Sequence, residues 1–69
     1  MKIVPTNIGL SIYDFSEEEK QAIFDTYWKI REKGDFIADL KCVITIYASY
    51  ATLYQFLVKI NTLNNVEII

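Results

Sequence analysis

Leu40–Tyr47, Leu-Lys-Cys-Val-Ile-Thr-Ile-Tyr, is the stretch whose reading decides the fold. It leads into an uncharged run from Cys42 to Val58 (CVITIYASYATLYQFLV), fenced by Lys41 and Lys59. In a chain of 69 residues, such a run is buried in a core, against a partner, or in lipid. Leu40, Cys42, Ile44 and Ile46 fall on one face of an extended chain, and Val43, Thr45 and Tyr47 on the other. β-Branched residues dominate, so the segment reads as a central strand over residues 40–47 with Cys42 buried in it. A second reading is one long helix from Asp35, because Phe36, Leu40, Val43, Tyr47, Tyr50, Tyr54 and Leu57 step by four and three. The weak helix propensity of Cys-Val-Ile-Thr-Ile-Tyr favours the strand.

Ala48-Ser49 forms a junction, with Ser49 as the cap of a helix over 50–63. Asn64 and Asn65 suit its left-handed end. Tyr50, Ala51, Leu53, Tyr54, Phe56, Leu57, Val58, Ile60 and Leu63 cover roughly 240° of this helix, far more than the roughly 100° that faces a core. Only Thr52, Gln55, Lys59 and Thr62 form a polar band. Sheet packing accounts for one side; the other side needs a partner.

Upstream, residues 7–13 alternate, with Ile8, Leu10 and Ile12 on one face, so a half-buried strand is expected there. Pro5 is expected to block regular pairing before it. Ser16-Glu17-Glu18-Glu19 is a capping box that opens a helix over 17–33. The acids suit its N-terminus, Lys29, Arg31 and Lys33 suit its C-terminus, and Gly34 offers a left-handed cap. Ile23, Tyr27 and Ile30 face the core, with Phe24 and Trp28 at the edge, one turn apart and in reach of each other. Asp35 and Asp39 read as solvated loop acids. Residues 66–69 form a closing strand.

The expected architecture is a single α+β (or small α/β) β-α-β-α-β domain over residues 1–69, a three-stranded sheet with two helices on one face. A chain this small buries only about 60% of its unfolded surface. A lone cysteine allows no internal disulfide, and one Cys without His makes zinc improbable, which leaves association as the remaining source of stability. The net charge of −2 disfavours phosphate binding, so no nucleic-acid partner is expected. Tyr47, Tyr50 and Tyr54 lie inside the apolar run and not at its ends, which argues against a membrane span and for a cytoplasmic protein. Isoleucine richness fits an AT-rich coding sequence, as in a low-GC bacterium or its phage. With no His and no nucleotide loop, no enzyme activity, cofactor or metal is expected.

The segment Leu53…Phe56-Leu57…Ile60…Leu63-Asn64-Asn65-Val66-Glu67-Ile68 resembles the last helix and strand of ferredoxin-like domains, including the amino-acid-sensing ACT group. That pattern has four strands where the sequence shows three. The resemblance implies side-by-side dimers and small-ligand sensing, and carries over no ligand residues. The leading expectation is a non-catalytic protein–protein interaction module, a small regulator or inhibitor. Its candidate contacts are Trp28, Tyr47, Tyr50, Tyr54 and Val58. The alternative is an obligate homodimer, structural or ligand-sensing. The partner is therefore another protein, a second copy, or both.

Overall fold

The computed structural model describes residues 1–62 and 66–69. In chain order the elements are β1 (Lys2–Pro5), β2 (Gly9–Tyr13), α1 (Glu17–Ile30), β3 (Phe36–Asp39), β4 (Ile44–Tyr47), α2 (Tyr50–Asn61) and β5 (Glu67–Ile68). They form a small α+β domain with one five-stranded mixed sheet, ordered β3-β4-β2-β1-β5. Among the described residues, only the β1–β5 pairing is parallel.

The three-stranded expectation fails at two places. Pro5 does not end pairing; it is the last residue of β1 and stands opposite Leu10. A strand end is where a missing N–H costs least. The 7–13 strand begins only at Gly9, and Ile8 projects from the β1–β2 turn with 64% of its surface exposed. The expected 40–47 strand is the turn and second strand of a hairpin over 36–47, with β3 in the segment read as a loop. Its turn carries Lys41 at φ 70, so Leu40 and Cys42 are exposed and not buried. The single long helix from Asp35 is excluded by the same hairpin.

The pairing register explains the core. Ile3, Ile12 and Ile44 align across the sheet, as do Leu10 and Ile46, and all five are buried on one face. Ile23 and Tyr27 from α1 and Phe56 and Ile60 from α2 join them in a single core, so both helices cover that face. Two strands, β1 and β3, are absent from the sequence reading, and β1 stands between β2 and β5.

The helix starts follow local chemistry. The Glu19 amide donates to Ser16 Oγ at 3.1 Å, and the Ser16 amide donates to the Glu19 carboxylate at 2.8 Å. That bond, first among its causes, lowers the Glu19 pKa. The Thr52 amide donates to Ser49 Oγ at 3.3 Å. The helix ends are shorter than expected. α1 stops at Ile30 with Arg31 as cap, leaving Lys33 beyond it, while Gly34 takes its φ of +95 in the following turn. α2 ends at Asn61 with Thr62 as cap. The expected end at Leu63, Asn64 and Asn65 lies outside the described residues.

Tyr27 is fully buried, and its hydroxyl has no hydrogen-bond partner among the described residues. An unpaired buried hydroxyl costs about 1–3 kcal/mol. Tyr27→Phe is therefore expected to keep or raise the stability, by up to about 1 kcal/mol. Urea denaturation checks this; a large loss would show that the hydroxyl has a partner.

Candidate protein-docking surface

Helix α2 turns Thr52, Phe56 and Ile60 into the interior. Leu53 and Leu57 are half-buried, and Tyr50, Tyr54 and Val58 follow around the helix at successive turns. The last three are 86%, 63% and 51% exposed, so the apolar arc runs without a break from the core to solvent. Thr52 was read as part of the polar band, yet it is buried. Ser49 Oγ donates to its hydroxyl at 3.2 Å.

Beside α2 runs an apolar groove of about 230 Å³. Leu53, Leu57, Tyr50 and Tyr54 supply its helical side, and Pro5, Thr6, Gly9 and Leu10 its sheet side. The turn that builds the sheet side is tied down locally. Thr6 Oγ1 accepts from the amides of Ile8 at 3.3 Å and Gly9 at 3.0 Å, and the Thr6 amide donates to the Gly9 carbonyl at 2.8 Å.

The structure therefore splits the five candidate contacts. Tyr50 and Tyr54 line the groove, and Val58 extends their stripe. Trp28 is on α1, 57% exposed, and is not among the groove residues. Its ring meets Tyr27 edge-on at 5.6 Å, where contact with Phe24 was expected, and Arg31 lies 4.9 Å above it. Tyr47 follows Ile46 on β4 and so faces the side of the sheet that carries no helix, stacked on Phe36 at 4.5 Å. The sequence reading missed the sheet wall altogether, because it depends on β1 pairing with β2. The one available signal was Pro5-Thr6-Asn7, a turn-forming run between two alternating segments.

Asp35 holds the fold next to α2. It is only 7% exposed, against the expectation of a solvated acid. Its carboxylate accepts from the Glu32 amide at 3.0 Å and the Ser49 amide at 3.2 Å. The Glu32 bond leads the causes that lower its pKa, with Thr52, Ser49 and nearby Arg31 adding to it. Asp39 pairs with Lys20 at 2.8 Å and accepts from the Lys41 amide at 3.1 Å. Among the described residues no cluster of His, Cys, Asp and Glu could hold a metal ion, and no helix is long and apolar enough to cross a membrane. No protein-family profile, curated protein or solved structure matches the chain.

Proposed function

We propose that this chain is a non-catalytic binding module, a small regulator or inhibitor that docks on a larger protein through α2. One observation carries this reading: the Tyr50–Tyr54–Val58 stripe is exposed and continuous with an apolar groove. Tyrosines suit such a surface, since a rigid apolar ring contributes area and the hydroxyl tolerates a wet rim. The fitting partner presents an apolar side chain or short apolar ridge to the groove, with hydrogen-bond acceptors within reach of the tyrosine hydroxyls.

Tyr54→Asp places a charge at the groove wall. Because Tyr54 is mostly exposed, the expected cost in stability is within about 0.5 kcal/mol. Capture of a partner by the tagged protein from its native host is expected to be lost, with circular dichroism and melting unchanged. A folded Tyr54→Asp variant that captures the same partner as the wild type overturns the assignment to this surface.

A further inference from the structure

We propose that the outer edge of β3 pairs with the same edge of a second copy, joining two five-stranded sheets across a two-fold axis at Ala38. This surface is separate from the α2 groove, so either proposal can fail without the other.

The argument starts from the phase of the hairpin. The Leu40 amide donates to the carbonyl of Val43, the residue directly opposite in the register of β3 and β4. Hydrogen-bonded and non-bonded pairs alternate along an antiparallel ladder. Ala38 and Phe36 therefore also bond inward to Thr45 and Tyr47. The amides and carbonyls of Ile37 and Asp39 point away from the sheet. β3 is an edge strand, so nothing within the sheet meets those groups.

A row of outward backbone groups is a template for pairing with another strand, blunted by proline, lysine, an unpaired charge, a bulge or a very short strand. β3 (Phe-Ile-Ala-Asp) holds no proline and no lysine. Its one charge, Asp39, is offset by Lys20 at 2.8 Å.

Antiparallel pairing about a two-fold normal to the sheet keeps the helices of both copies on one side. Centred on Ala38, it sets Ile37 of each copy opposite Asp39 of the other, so the outward groups satisfy one another. Ala38 meets its own counterpart at a close, non-bonded position where a small side chain fits. Phe36 comes opposite Leu40 of the second copy, twice by symmetry. These two residues are 54% and 60% exposed, and alternation along the strand puts Phe36 on the helix-free face and carries Leu40, one residue past the strand end, to the same side. The edge is thus self-complementary in backbone phase and side-chain size, which selects a second copy over an unrelated strand. Four-residue strands bury less than the roughly 1,200 Å² of a firm interface, so the dimer is a weak one that forms with concentration.

Sedimentation equilibrium of the intact chain, from about 10 µM to 1 mM, is expected to show the mass rising toward two chains. F36K/L40K puts lysine opposite lysine at both ends and is expected to weaken association at least tenfold, on the order of like-charge costs across a strand pair. F36E/L40K replaces each clash with an opposite-charge pair and is expected to restore association, now sensitive to salt. Melting curves establish that both variants fold. In a mixture of isotope-labelled and unlabelled wild-type chains, an intermolecular Hα–Hα NOE is expected at Ala38. A wild type that stays monomeric throughout overturns the proposal. So does a dimer that survives F36K/L40K, because another surface then holds it.

Discussion

Gly9→Ala is expected to lower the stability of the chain by about 3 kcal/mol, a typical upper figure for forced overpacking. A Cβ at Gly9 would overlap the Ile46 carbonyl oxygen and lie 2.9 Å from its carbon and 3.2 Å from Tyr47 Cα. These are backbone atoms of the neighbouring strand, and no side-chain rotation can clear them. Relief requires β2 to move off β4 in the middle of the sheet. For a chain of 69 residues, total stability is about 3–10 kcal/mol, so this loss is a large share of it. Thermal melting should show a fall of more than about 10 °C. Gly34→Ala is the control. Nothing lies within 4 Å of a Cβ there, and the cost comes only from its φ of +95. About 1–2 kcal/mol is expected for it. Equal effects at the two glycines would remove the steric account of Gly9. Because Gly9 also lines the groove beside Tyr54, the same variant should weaken partner capture even where it remains folded.

Asp35→Ala is expected to cost a further, independent amount of about 2–3 kcal/mol, since it strips a charged acceptor from two part-buried backbone amides. The Glu32 amide belongs to the α1–β3 connection and the Ser49 amide to the start of α2, so one carboxylate ties two elements far apart in sequence. The pH dependence has a definite sign. The folded pKa of Asp35 is lowered, so its contribution is full above the unfolded value of about 3.9 and is lost as the pH falls through the lower folded value. Glu19 and Asp39 are lowered as well, through the Ser16 amide and Lys20 respectively, and share the acid loss. Asp35→Asn should therefore flatten the fall in stability below about pH 4 without abolishing it. Urea titrations at several pH values measure this slope. A wild-type slope retained in Asp35→Asn would show that the carboxylate is not held as described.

Most of what was legible in the sequence was local. Ser16 and Ser49 cap their helices through residues three positions away, so neither cap depends on the rest of the chain. The excess apolar arc of α2 was legible too, because helical periodicity fixes which residues share a side, and Tyr50, Tyr54 and Val58 do emerge exposed. Where Trp28 and Tyr47 lie relative to them was not legible, since periodicity within one element cannot say which elements lie side by side.

The hairpin was hidden for a related reason. Leu40-Lys41-Cys42-Val43 holds none of the glycine or asparagine that mark tight turns, and its alternation continues that of Ile44–Tyr47. Lys41 adopts its positive φ because Asp39 accepts from its amide and β3 pairs with β4 on either side. Asp35 was misread likewise, because the Ser49 amide that helps to bury it lies fourteen positions away.

The sequence by itself determined where the helices begin, that two helices pack with a sheet in one small domain, and that α2 carries more apolar surface than one core can use. Only the tertiary structure decided the number of strands, the wall of the groove and the fate of Leu40–Tyr47. Caps and periodicities are set by bonds within a few residues. Strand pairing is set by partners distant in the chain, and an alternating apolar segment is equally consistent with one strand or with two folded back on each other.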